Sequence, residues 1–140
     1  MKTNFLLLIS LVLIATSCGP KSKEETIIGK WKYESLNTSK AIKGKTPTKD
    51  EELALKLFGY IFQGWTIEFF KDKTMESSSK NSTNSTGTYE FLNDGKYVIC
   101  NTIDEKGKKD TLKCLIIELT NDKFVFESKD DMEVTFKRDE

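Results

Sequence analysis

The side chains that decide which chemistry this chain can carry are three cysteines and an absence. There is no histidine among the 140 residues. That removes Ser-His-Asp and Cys-His nucleophilic catalysis and every histidine-based metal site. The cysteines stand at positions 18, 100 and 114. Cys100 and Cys114 do not have a Cys-x-x-Cys spacing, and no ligand cluster accompanies them, so a redox shuttle or a zinc site fits poorly. They lie seven residues to either side of Gly107. In a hairpin centred on that glycine they would face each other across two antiparallel strands, near disulfide geometry. The expectation is a Cys100–Cys114 disulfide that closes a loop of about 15 residues and contributes about 3 kcal/mol. Two packed thiols are the competing arrangement. The acidic pair Asp104-Glu105 has no EF-hand-like ligand spacing. No catalytic residue, metal site or cofactor is expected.

Cys18 has a different setting. Met1-Lys2-Thr3-Asn4 is a short positive region, Phe5 to Ala15 is apolar apart from Ser10, and Ala15-Thr16-Ser17 precedes the cysteine. This is a secretory signal pattern, and the run is too short to span a bilayer comfortably. The cysteine after Ala15-Thr16-Ser17 resembles a bacterial lipobox, with Ala15 at the position where Leu is preferred. The resemblance implies removal of residues 1–17 and a diacylglycerol thioether on Cys18, with acylation of the new amine. Each buried methylene contributes about 0.8 kcal/mol, so two or three chains anchor firmly. The location implied is the cell outer membrane, lipid-anchored and facing the periplasm or the cell surface. Residue 19 is Gly, so the Asp of the enterobacterial inner-membrane retention signal is absent. Residues 18–26 are polar and without periodicity, and read as a flexible tether. Within them Lys23-Glu24-Glu25 faintly resembles the export signal of surface lipoproteins in the Bacteroidota; a solvated linker is the plainer reading.

Composition narrows the rest. Basic and acidic side chains number 22 each, so no net charge draws the chain to nucleic acid. Nine Phe, four Tyr and two Trp argue against disorder and, with the Thr, Ile and Val, for strands. The length suits one domain, residues 27–140.

The elements that must position these residues are mostly short strands. Trp31 and Tyr33 alternate with charged neighbours in a first strand. Thr48 reads as a helix N-cap, with Glu51 completing a capping box and the helix running from about Lys49 to Phe62. Its apolar residues, Leu53, Ala54, Leu55, Leu57, Phe58, Tyr60, Ile61 and Phe62, span an arc of about 220°, wider than a one-sided helix needs. Burial of that whole arc in the core is the first reading. A helix plugging a barrel mouth, or leaving one flank for a lipid or partner, is the second. From Trp65 the pattern is strands and turns. Ser79 to Thr86 reads as a Ser/Asn/Thr loop, its two Asn-Ser-Thr triplets being chance matches to the N-glycosylation pattern. Asn93-Asp94-Gly95 and Gly107 mark hairpins. Short connections make the sheet antiparallel, and the rhythm predicts an all-β, eight-stranded barrel or sandwich with one helix after the first strand. The predicted inward set is Trp31, Tyr33, Trp65, Ile67, Phe69, Tyr89, Phe91, Tyr97, Ile99, Ile116, Phe124, Phe126, Val134 and Phe136.

Gly29-Lys30-Trp31 at the start of the first strand resembles the Gly-x-Trp signature of lipocalins. Residues 27–140 resemble the lipocalin-like lipoproteins common in Bacteroidota, which share the aromatic strand with a Lys-Asp turn, here 66–74, and a late segment, here Leu119 to Phe126. The resemblance implies an antiparallel lipocalin-like (calycin-type) barrel whose floor is closed by Trp31. The helix between the first two strands departs from many lipocalins, which have only a loop there.

Two functions compete. One is a tethered module that binds a small apolar ligand under a lid formed by Leu53, Leu57, Phe58, Tyr60, Ile61 and Phe62. The alternative is a protein-interaction lipoprotein, an inhibitor, immunity factor or envelope-assembly partner, with a filled barrel. An apolar cavity of about 300 Å³ or more marks the first; an exposed aromatic patch over a filled core marks the second.

Overall fold

A computed structural model describes residues 19, 21–38, 45–129 and 131–140. Cys18 lies outside the described residues, as do residues 1–17, where a signal segment is expected. Eight antiparallel strands close into one barrel in sequence order: β1 (Gly29–Asn37), β2 (Thr66–Phe69), β3 (Thr74–Ser79), β4 (Ser82–Leu92), β5 (Tyr97–Asp104), β6 (Lys109–Leu119), β7 (Lys123–Glu127) and β8 (Glu133–Arg138). β8 pairs back to β1, so no strand edge is left open.

Helix α1 (Lys23–Ile27) precedes the barrel, and helix α2 (Lys49–Phe62) joins β1 to β2. Thr48 caps α2 as its residue type predicts: its hydroxyl accepts from the Glu51 amide, and the Glu51 carboxylate accepts from the Thr48 amide. The same capping box forms between Ser22 and Glu25. The flexible tether expected over residues 18–26 is therefore corrected from Ser22 onward. From there it is a folded helical turn, and Thr26 and Ile27 are buried. Local polarity hid this, because a single apolar residue, Ile27, is enough to seat so short a turn.

The barrel interior is filled with large side chains. Trp31, Phe69, Phe124 and Phe136 are fully buried, and Met75, Tyr89, Val98, Ile116, Phe126 and Val134 join them in one cluster. The rings meet mostly edge to face, as Phe69 does with Tyr89 at 4.9 Å and Trp31 with Phe124 at 5.7 Å, an arrangement that aromatic quadrupoles favour.

The inward phase of β5 is the opposite of the one predicted. Val98 and Cys100 face the core, while Tyr97 and Ile99 do not enter the buried set. The cause is the turn. Asn93, Asp94 and Gly95 all adopt left-handed backbone, and the Lys96 amide bonds the Asn93 carbonyl. This four-residue loop pairs Phe91 with Val98 and Tyr89 with Cys100. A one-residue change of register moves every side chain to the other face.

The same physics overturns the disulfide. Gly107, at φ 79°, is not the centre of its hairpin. It occupies the left-handed bulge position that follows a tight turn, its amide bonding the Asp104 carbonyl. The symmetric point moves to Lys106. Cys100 therefore pairs with Leu112, and Cys114 with Val98. The two thiols sit diagonally on the inner face as free, buried cysteines. Burial pushes the Cys100 thiol up to about 12 and raises Cys114 as well.

Two expectations about solvated segments also change. Ser79 to Thr86 is not a loop: β3 runs to Ser79 and β4 begins at Ser82, with a tight turn between them. Hydroxyl residues occupy both faces there, one looking into the barrel mouth and the other into water. Nor is α2 a core helix. None of its residues is buried, and Leu53, Leu57 and Tyr60 are 67%, 58% and 59% exposed. Strand aromatics already fill the interior, so no apolar surface remains to cover a 220° arc.

Candidate functional site: the barrel mouth

The two ends of the barrel differ chemically. One end is sealed. The indole N–H of Trp31 donates to the Ile27 carbonyl at 2.7 Å, which fixes α1 beneath the ring. The Arg138 guanidinium lies 3.8 Å from the Trp31 ring centre. It also donates to the carbonyls of Ile28 (2.7 Å), Thr26 (2.8 Å) and Asn121 (2.9 Å). Gly29, at φ 117°, is needed there because a Cβ would meet an Arg138 guanidinium nitrogen at 2.7 Å. The Gly29 and Trp31 spacing thus has a local cause: the glycine clears the space for the arginine that covers the tryptophan. Lys23 ties α1 to the β4–β5 turn through the Gly95 carbonyl at 2.9 Å.

The opposite end has no such seal among the described residues and carries the candidate site. The last turn of α2 leans over it. Ser79 Oγ donates to the Ile61 carbonyl and Asn81 Nδ2 to the Tyr60 carbonyl, both at 2.8 Å. The Ile61 carbonyl is one of those that a helix end leaves unpaired, and the Tyr60 carbonyl also accepts from the Gln63 amide. A row of aromatic rings then runs from the helix down into the core. Phe58 stacks on Phe62 at 6.2 Å, Phe62 stacks on Trp65 at 5.0 Å, and Trp65 meets Phe136 edge-on at 5.0 Å. Tyr33 contacts both Phe62 and Phe136.

Beneath that turn is a cleft of about 170 Å³, lined by Ile61, Phe62, Trp65, Ser77, Ser79, Ser82, Thr83 and Ser85. One wall is apolar and aromatic. The other carries five hydroxyls and no charge. The Trp65 indole N–H donates to Ser77 Oγ at 2.6 Å, which fixes the ring against that wall. Between α2 and β2, Gly64 adopts φ 71°, and the Lys80 side-chain stem packs over it, within 3.2 Å of where a Cβ would stand.

Of the lid residues predicted, Ile61 and Phe62 line the cleft, and Phe58 stacks behind Phe62. Leu53, Leu57 and Tyr60 point away from it into solvent. Gly29 and Trp31 belong to the sealed floor. Cys100 and Cys114 lie in the core between the two ends. Sequence reasoning missed the hydroxyl wall of Ser77, Ser79, Ser82, Thr83 and Ser85. No sequence signal marked it, because residues 77–86 are polar throughout and offer period-2 logic no alternation to read. Among the described residues no helix is long and apolar enough to cross a membrane.

No family model matches the chain, and no curated protein matches it. Among solved structures it is similar to a DUF4847 family protein from Bacteroides vulgatus ATCC 8482, at a TM-score of 0.52 and 15% sequence identity. The match covers 84% of this chain and 96% of that one. At that identity the likeness is one of fold.

Proposed function

We propose that this chain is a lipid-anchored, lipocalin-like lipoprotein of the outer membrane, held through Cys18, that binds a small, largely apolar molecule at its barrel mouth. The observation that carries the binding reading is the amphipathic cleft under α2, with Phe62 and Trp65 on one side and the Ser77–Ser85 hydroxyls on the other. A ligand bound there lays an apolar face on the rings and presents polar edges to the hydroxyls. The filled core excludes a ligand seated deep in the barrel. At about 170 Å³ the cleft falls short of the apolar cavity of about 300 Å³ that marks a ligand binder. The filled core under the exposed Leu53, Leu57 and Tyr60 meets the mark of a protein partner. The ring-and-hydroxyl lining of the cleft is what supports binding of a compact molecule.

The protein-interaction reading rests on a separate surface, the outward stripe of Leu53, Leu57 and Tyr60. One experiment separates the two. Native mass spectrometry is applied to protein purified from its own host, as wild type, Trp65→Ala and Leu57→Glu. A co-purified small molecule that is lost in Trp65→Ala and kept in Leu57→Glu supports the cleft. A stoichiometric second protein lost only in Leu57→Glu, with no small molecule in the wild type, overturns it. The anchor is checked in parallel: Cys18→Ala is expected to abolish palmitate labelling and membrane fractionation.

A further inference from the structure

We infer that the barrel stands floor-down on its own bilayer, with the mouth and α2 turned to the aqueous phase. This rests on the lipoprotein reading of Cys18 given above. From Cys18 to the helix cap Ser22 is four Cα steps, which span at most about 14 Å fully extended. Beyond Ser22 the chain supplies no slack. α1 is capped by its Ser22–Glu25 box, and its Thr26 carbonyl is held by Arg138. Lys23 fastens it to the β4–β5 turn. The lipid-bearing residue is thus confined to the neighbourhood of the sealed end, beside Trp31 and the turns at Lys71–Lys73, Asn93–Lys96 and Thr120–Asp122. The mouth lies one strand length further away. β5 has eight residues; at about 3.3 Å rise and a tilt of about 40° that is ~20 Å.

Lying on its side is the posture that would bring the exposed α2 stripe to the membrane, and the charges of α2 oppose it. Interfacial helices carry Lys and Arg on their polar face. α2 has Lys49 and Lys56 against Asp50, Glu51 and Glu52, an acidic excess that anionic headgroups repel. The floor itself carries a balanced set, Lys21, Lys71 and Lys96 among Glu24, Asp72 and Asp94, so the short link sets the posture and charge does not. Ligand or partner then enters from the side away from the anchoring membrane.

The test uses the full lipidated chain, purified from host membranes and placed in vesicles of phosphatidylethanolamine and phosphatidylglycerol. A fraction of the lipid carries a headgroup nitroxide, a short-range quencher. A fluorophore is attached at Asn121→Cys on the floor or at Glu105→Cys on the β5–β6 turn at the mouth. Lys71→Cys serves as a second floor reporter if the first folds poorly. The native cysteines are buried and remain unlabelled. Quenching at the floor is expected to exceed that at the mouth at least threefold. A ten-residue Gly/Ser insertion between Lys21 and Ser22 is expected to bring the two within a factor of about 1.5. Equal quenching in the uninserted protein, or stronger quenching at residue 105, overturns the seating. Intact mass of the same preparation reports the anchor separately: a Cys18 without diacylglycerol removes the lipoprotein reading, whatever the quenching shows.

Discussion

Arg138 covers Trp31 with its guanidinium 3.8 Å from the ring centre, and it joins the last strand to the helix before the first. Three carbonyls and one aromatic face converge on a single planar cation. Burial pulls the proton affinity of that guanidinium below its ordinary value, and Asp122 acts in the opposite direction. Arg138→Ala leaves those carbonyls without a donor and is expected to cost about 2 to 4 kcal/mol. Arg138→Lys keeps the charge but not the fork and is expected to recover less than half of that loss. Urea unfolding of the three proteins checks both statements. Equal stability of Ala and wild type would show that the floor holds without the arginine.

The two core cysteines make stability fall in alkali. Their folded-state proton affinities are raised by burial, Cys100 to about 12, against an unfolded value near 8.5. Above the unfolded value the unfolded chain releases protons that the folded one keeps, so each thiol's contribution is complete below about pH 8.5 and is lost as pH rises toward 12. The slope is up to about 1.4 kcal/mol per pH unit for each thiol. A Cys100→Ala, Cys114→Ala double variant is expected to be less stable at pH 7 but to show a flatter profile from pH 8.5 upward.

The same burial predicts slow chemistry. At pH 8 iodoacetamide is expected to leave both thiols unmodified in the folded domain and to modify both in guanidinium chloride. Intact mass of the folded domain is expected not to change on reduction. A reductant-dependent mass shift would restore the disulfide and require the β5–β6 register to slip.

Helix α2 is expected to loosen in acid before the barrel does. The Thr48 amide and hydroxyl hold the Glu51 carboxyl below its ordinary range. This cap is complete above the usual Glu value of about 4.3 and is lost as pH falls through the lower folded-state value. Amide exchange in 49–62 should therefore accelerate at acid pH while β4–β6 stays protected. Thr48→Ala should produce the same local change at pH 7, costing α2 about 1 kcal/mol.

Gly87 is expected to tolerate no side chain. A Cβ there would stand against the Asn101 carbonyl of the neighbouring strand, a backbone atom that cannot move aside. Gly87→Ala is expected to cost about 3 kcal/mol or more and to be visible as lost amide protection across β4 and β5.

Local chemistry in the sequence was enough for much of the fold. The Thr48-Glu51 box and the apolar period placed α2 to the residue, because capping and helical periodicity act within a single turn. Alternation and turn residues counted the strands, and the short connections dictated antiparallel order. The floor closed by Trp31 came only from the resemblance of Gly29-Lys30-Trp31 to a lipocalin signature. What the sequence could not decide was anything set by register or by competition for space. Whether Gly107 is the centre of a hairpin or its bulge depends on the turn built on Asp104, whose carbonyl accepts from the Gly107 amide and whose carboxylate accepts from the Lys106 and Lys108 amides, and that choice separated Cys100 from Cys114. Whether the wide apolar arc of α2 is covered depends on how much interior the strand aromatics leave. Phe69, Phe124, Phe126 and Phe136 leave none, so Leu53, Leu57 and Tyr60 remain in water. Ser79, Ser82 and Ser85 looked like loop until barrel closure turned them toward Trp65. Each of these outcomes belongs to contacts between residues far apart in the chain, and only the closed barrel brings them together.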